Sequence, residues 1–274
     1  YLNFAFDISH VPEYLQIYLP LLGKLTCGMG AAGLTYEEMA KLIALKTGGL
    51  GYDLACGNTA DAAQSWQKMI FSVKSLYRNV PEALQITADL LTAGDLACEA
   101  RLRDLVAERK NALHAAVVPS GHIFAKRAAG AALTLPAYRD EQWHGRTQLR
   151  FIYQTAAQLD GDIKMLTEKM RDLRQAVFNR NNLIINITAD SSGLTLAEKE
   201  MAAFTDKLPE GGIKSVSSFS VPKRIAAGIA LPSQVNYCAR TLPAPAYADK
   251  ATAMLLVASR YLSNGYLYKT IRVQ

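Results

Sequence analysis

The chain has 274 residues, half of them apolar and a fifth charged, with a formal charge of +6 and a pI near 9.1. That is ordinary globular composition, with ample material for a hydrophobic core built as one large or two smaller domains. The basic residues are dispersed (Lys68, Lys74 and Arg78; Arg101, Arg103, Arg109 and Lys110; Lys164 to Arg180), no aromatics are interleaved to stack bases, and no apolar run reaches the ~18 residues of a membrane span, so nucleic-acid and membrane binding are set aside. Cys27, Cys56, Cys98 and Cys238 lie far apart with no CxxC spacing. That argues against a zinc ribbon, a redox motif or a disulfide framework and leads us to expect four buried, reduced thiols. The first residue is Tyr1, so any targeting segment would lie upstream, and a start inside a strand-like run points to a piece of something longer. A soluble protein of the cytoplasm or an organelle matrix is expected.

Residues 1–7 read as a strand, with an apolar run Phe4, Ala5, Phe6. From Val11 the apolar positions Leu15, Tyr18, Leu19, Leu22 and Leu25 recur at helical spacing up to Gly28, and Pro20 predicts a kink or break into two pieces. Thr35 to Glu38 is a capping box opening a second helix that closes at Gly48 and Gly49. Leu50 to Cys56 and Met69 to Tyr77 read as two strands joined by a small, polar, hairpin-like loop. About a hundred helical residues follow. Pro81 opens a helix through Leu91, Cys98 to Val117 is long and amphipathic, and Pro119 to Gly121 breaks it. His122 to Leu133, Glu141 to Leu159 and Ile163 to Phe178 give three more helices.

Leu183 to Thr188 is a β-branched strand, and Thr195 to Glu198 predicts a capped helix running to Leu208. Pro209 to Gly212 is the best linker signal in the chain. Beyond it lie short strand candidates (Ser215 to Val221, Ala226 to Leu231, Val235 to Arg240), a proline-rich turn through Pro243 and Pro245, and a helix from Asp249 to Leu262. Strand, helix, hairpin, helix block and returning strand predict an α+β domain over 1–208, with helices on one face of a sheet, a linker over 209–214 and part of a second unit over 215–274.

The chemistry-bearing stretch is His10-Val11-Pro12-Glu13-Tyr14. A zinc site of the inverted type needs His-x-x-Glu-His on a helix, so that both His fall on one face and the Glu polarises the attacking water. Here the second His is Tyr14, a neutral phenol and a poor zinc ligand. The stretch reads as a zinc-peptidase motif without its metal, and a His at a strand-to-helix junction serves equally as a capping or packing residue.

Six runs carry a resemblance: Phe4 to His10 (FAFDISH), Leu45 to Gly49 (LKTGG), Val118 to His122 (VPSGH), Asn182 to Asp190 (NLIINITAD), Leu231 to Tyr237 (LPSQVNY) and Tyr268 to Gln274 (YKTIRVQ). In this order and over nearly the whole chain, they resemble the C-terminal half of the presequence-protease branch of the pitrilysin/insulinase family of zinc peptidases. The resemblance implies a metallopeptidase-type α/β roll, an antiparallel-rich sheet with a helical layer, within a four-domain parent whose two halves close around a peptide chamber. Zinc and the His-x-x-Glu-His motif would sit in the N-terminal half. This chain would be the third domain, less its first strands, and the opening of a similar fourth, supplying chamber wall and substrate contacts and binding no metal.

The family's active motif falls on His10, Glu13 and Tyr14. Its distal Glu ligand falls on Glu108, and Arg101 stands where active halves place a second carboxylate, so that a cation there would repel a metal and could pair with an acid instead. Arg272 matches a family Arg that reaches across the chamber to the substrate and the developing oxyanion, a role suited to a planar, always-charged donor. The family's companion Tyr falls after Gln274. His122 could touch substrate, although a His just after a helix break more commonly satisfies backbone carbonyls, and His114 and His144 read as surface or packing residues. The implied function is the metal-free half of a zinc metalloendopeptidase acting on short unstructured peptides, inactive alone, with the N-terminal half as partner. A metal-free scaffold or partner of a separately encoded catalytic chain is the alternative.

Overall fold

The computed structural model describes residues 1–211, 228–231 and 233–273, apart from the side chain of Arg272. In chain order the elements are β1 (Leu2–Asp7), α1 (Glu13–Gln16), α2 (Leu19–Gly28), α3 (Tyr36–Lys46), β2 (Leu50–Asn58), β3 (Ser65–Val73), α4 (Val80–Thr92), α5 (Glu99–Val117), α6 (Gly121–Gly130), α7 (Leu135–His144), α8 (Arg146–Val177), β4 (Leu183–Ile187), α9 (Ser191–Thr205) and α10 (Lys250–Asn264). The strands form an antiparallel sheet in the order β2-β3-β1-β4. This is the mixed α and β architecture expected from the alternation of strand and helix signals.

Alternation along the strands decides which face is covered. Leu2, Phe4 and Phe6 of β1 and Met69, Phe71 and Val73 of β3 are buried, and residues between them are half-buried or exposed. Phe4 pairs with Phe71 on one side and Ile185 on the other. The helices roof this face. Phe178, just past α8, puts its ring 5.2 Å from Phe6 and 5.4 Å from Phe71, and Phe204 of α9 lies 4.7 Å from Phe4. Each such ring contributes about 1.5–3 kcal/mol by leaving water. Gly23 lets α2 approach β2, because a Cβ there would meet the Tyr52 ring at 2.2 Å, and the Tyr52 hydroxyl donates to Pro20 O at 2.7 Å.

Several local signals act as read. The helix after β1 is broken before Pro20, which takes a first-turn position of α2. The α3 capping box is complete: Thr35 Oγ1 accepts from Glu38 N at 3.3 Å and Glu38 Oε2 from Thr35 N at 2.8 Å. Four expectations are corrected. The second hairpin strand is Ser65–Val73, four residues earlier than Met69 to Tyr77, because the polar run Ser65 to Lys68 pairs with β2. The expected break between Leu159 and Ile163 is absent, and α8 is one 32-residue helix. Its real start follows Gly145, where Glu141 Oε1 accepts from Thr147 N at 3.0 Å and Oε2 from the Thr147 hydroxyl at 2.7 Å. The buried stripe Leu159, Ile163, Leu166, Met170, Leu173 and Val177 runs straight past Gly161.

Third, α9 starts at Ser191 and not at Thr195, because Asp190 Oδ1 accepts from Gly193 N at 2.7 Å and takes the capping role first. Fourth, the thiols differ: Cys98 and Cys238 are exposed. Cys27 and Cys56 are sequestered, and burial pushes their thiols up to about 12 and about 11. Beyond residue 211, Ser215 to Val221 lies outside the described residues, as does most of the linker. Residues 228–231 and Val235 to Arg240 carry no strand. The helix expected from Asp249 is α10, and Asp249 Oδ1 accepts from Ala251 N at 2.8 Å. Among the described residues no helix is long and apolar enough to cross a membrane.

The continuity of α8 is testable. Gly161 is exposed and nothing lies within 4 Å of a Cβ placed on it. Gly161→Ala therefore stabilises the chain by roughly 0.5–1 kcal/mol, raising Tm by about 1–4 °C in calorimetry. A lower Tm would mean that the helix is interrupted there.

Candidate functional site

The motif stretch leaves β1 through a turn, and α1 begins only at Glu13, with Pro12 as its N-cap. His10 is therefore not on a helix, and the one-face geometry that His-x-x-Glu requires is not formed. Each residue finds a different partner. His10 Nε2 lies 3.0 Å from Ala176 O, so that nitrogen carries the proton and donates to a carbonyl of the last turn of α8. Asn179 Nδ2 and Asn182 Nδ2 donate to the same carbonyl at 3.0 and 3.1 Å. Together they close the negative end of the longest helix.

Glu13 turns toward α7. Its Oε2 lies 2.6 Å from Arg139 Nη2, and its Oε1 accepts from the Tyr138 hydroxyl at 3.2 Å and Gln142 Nε2 at 3.3 Å. Arg139 is the residue that sequence reasoning missed. Its side chain is only 5% exposed, against 42% for Glu13. Its Nε donates to Gln67 Oε1 of β3 at 2.8 Å and its Nη1 to Gln142 Oε1 at 2.8 Å. One guanidinium thus ties β3, α1 and α7. The available signal was spacing: Arg139 and Gln142 fall on the same helical face as the fully buried Trp143. Tyr14, at the place of the second His, is 72% exposed.

Glu108 lies on α5, away from this network. It pairs with Lys24 of α2 at 2.8 Å and with Arg101 at 3.2 Å. The Lys24 hydrogen bond, together with the charges of Lys24 and Arg101, holds its carboxyl below the usual carboxylate range. Arg101 also donates from Nε to Gly28 O at 3.0 Å and stacks over the Tyr36 ring at 4.3 Å. The remaining histidines also have partners. His114 Nδ1 lies 2.6 Å from the Tyr153 hydroxyl, and the His122 ring is 6.5 Å from that of Tyr237. His144 Nδ1 is 3.0 Å from Asp140 Oδ1, and Arg127 Nε donates to Asp140 Oδ2 at 2.9 Å. Burial raises the Asp140 carboxyl, but the His144 and Arg127 hydrogen bonds and charges outweigh it and hold it at about 2. Lys269–Val273 form a final helical turn, and the Arg272 side chain is outside the described residues.

Zinc fits these positions poorly. Among the described residues no group of three or more His, Cys, Asp or Glu side chains could hold a metal ion. His10 Nε2 is committed as a donor, and both Glu13 and Glu108 already face cations.

Comparison with known proteins places the chain. Residues 1–154 match the family model described as Peptidase M-16C associated. The chain belongs to that family. Its curated relatives include presequence protease 1, chloroplastic/mitochondrial, of Arabidopsis thaliana, 27% identical over the whole of this chain and 25% of the relative. The mitochondrial presequence protease of Danio rerio is also 27% identical, over 97% of this chain and 28% of its own length. The chain thus spans about a quarter of these relatives. Among solved structures, the ferredoxin protease FusC in complex with Arabidopsis ferredoxin shares the fold with a TM-score of 0.51 and 11% identity, over 80% of this chain and 22% of that one. The motif series read from the sequence and the family agree, and with them the α+β fold.

The Glu13–Arg139 pair yields a stability test. Glu13→Ala leaves a nearly buried guanidinium short of its carboxylate and costs about 2–4 kcal/mol in urea unfolding. Arg139→Met costs less, because the half-exposed Glu13 rehydrates. Losses under about 1 kcal/mol for both would mark the pair as an ordinary surface ion pair.

Proposed function

We propose that this chain is a metal-free, C-terminal part of a zinc metalloendopeptidase that degrades short unstructured peptides, and that it forms chamber wall and substrate contacts. One observation carries the reading: His10, Glu13 and Glu108, at the positions of the family's ligand and base set, are each spent on a different structural partner. The curated relatives, named presequence proteases and about four times as long as the segment they share with this chain, support it. In this reading residues 215–274 open a second α+β unit, and the zinc, its bound water and the general base belong to an N-terminal half.

Arg272 is the residue to which we assign contact with substrate. A guanidinium is charged at every relevant pH, and its planar fork of donors suits a peptide carbonyl whose oxygen gains negative charge in the transition state. In the parent enzyme, Arg272→Ala lowers kcat about 10²-fold or more with little change in KM; an unchanged kcat would remove the assignment.

The first test is cleavage of an unstructured ~30-residue reporter, a length well beyond a single binding motif yet short of a folded domain. This chain alone, with zinc added, does not cleave it, and adding a catalytic half restores cleavage. Zinc-dependent cleavage by the chain alone would overturn the reading.

A further inference from the structure

The stretch leading to α10 lies against α6 as an extended segment. Ser233, Tyr237 and Thr241 are half-buried, and the described residues between them are exposed, so every fourth side chain faces the body. The Tyr237 ring rests on Gly121: a Cβ there would meet ring carbons at 2.3 Å. Its hydroxyl donates to Val118 O at 2.5 Å, at the C-terminal end of α5. Four residues on, the Thr241 hydroxyl donates to Ala129 O at 2.6 Å, at the C-terminal end of α6, and its methyl stands 3.9 Å from a Cβ placed on Gly130. Further along, Ala248 N donates to Ala60 O in the β2–β3 loop at 2.8 Å.

Both acceptors are carbonyls that a helix end leaves without an intrahelical donor. The spacing matches as well. Gly121 and Gly130 are about 14 Å apart along a helix of 1.5 Å rise, and four extended residues span about 13–14 Å. An aromatic hydroxyl and a β-hydroxyl four residues later therefore reach both carbonyls without bending the segment, and Gly121 leaves room for the ring.

We propose that the α6 face between Gly121 and Gly130 is a seat for an extended peptide carrying a tyrosine and, four positions later, a serine or threonine, and that residues 233–241 fill this seat as the chain's own occupant. The seat is separate from the motif positions and does not rest on the peptidase reading. A tethered occupant acts at an effective concentration in the millimolar range, so a free peptide binds well only when the tethered Tyr237 is removed.

The test titrates a fluorescein-labelled synthetic peptide of residues 233–246 into the full chain, read by anisotropy. Binding to the Tyr237→Ala chain is saturable and at least ten-fold tighter than to the unaltered chain. Adding Gly121→Leu to Tyr237→Ala abolishes it, with the emission of the buried Trp143 unchanged. Should Gly121→Leu unfold the chain, competition decides: unlabelled peptide displaces the probe from the Tyr237→Ala chain, and the same peptide with Tyr237→Ala does not. Absence of saturable binding to the Tyr237→Ala chain, equal binding to the unaltered chain, or displacement by the peptide lacking the tyrosine would each overturn the proposal.

Discussion

A four-stranded sheet with one apolar face has to be roofed, and that requirement organises the body of the chain. The inward rings of β1 and β3 meet Phe178 and Phe204, and Phe178 immediately follows the last turn of α8. Because Phe6, Phe71 and Phe178 pack edge to face and tilted within 5.2–6.3 Å, the end of α8 is pinned over the centre of the sheet. That position brings the Ala176 carbonyl to where β1 leaves the sheet, and it creates a demand for donors there. His10, Asn179 and Asn182 meet the demand. The place of a metal-binding histidine has become, physically, a helix-closing one.

The same exchange holds for the acids. A divalent cation needs carboxylates free of competing charge, since like charges at contact distance repel strongly wherever water is scarce. Arg139 stands against Glu13 and is nearly buried; Lys24 and Arg101 stand against Glu108. A nearly buried guanidinium hydrogen-bonded to a carboxylate and to Gln67 and Gln142 is itself an internal cation with fixed directions. It holds β3, α1 and α7 in register as a metal could, with no open coordination position for water. The network therefore supplies the rigidity of a metal centre without its chemistry, which accords with the proposed wall-forming role.

How much of this was legible follows from the range over which each signal acts. The β1 alternation, the Pro20 break, the α3 capping box and the Asp249-capped helix are set by neighbours within about one turn, and they were read correctly. Gly161 was misread because glycine weakens a helix only locally, whereas the stripe from Leu159 to Val177 is buried by the sheet and by α5. The two competing caps of α9 differ by four residues, and only the chain's path out of β4 selects Asp190. Arg139 was invisible for a similar reason: its partners Gln67 and Glu13 lie 72 and 126 positions earlier, and no periodicity links them. The site residues were found by position within a resemblance, but what they bind was decided by the fold.

The C-terminal helix shows the same division between local and tertiary causes. Asp249 caps α10 cleanly, yet Met254, Leu255, Leu256, Val257, Tyr261 and Leu262 are all exposed, whereas the long helices of the body, such as α8, bury an apolar stripe. A 15-residue helix is marginal in water on propensity alone, so α10 owes little of its stability to the packing described here. An apolar surface of that kind marks a face meant to be covered. The segment before it, seated on α6 through Tyr237 and Thr241 and hydrogen-bonded to the hairpin loop through Ala248, decides where that face is held relative to the sheet. If residues 215–274 open a second unit, as proposed, the Gly121 notch is then one of the points at which the second unit is registered on the first.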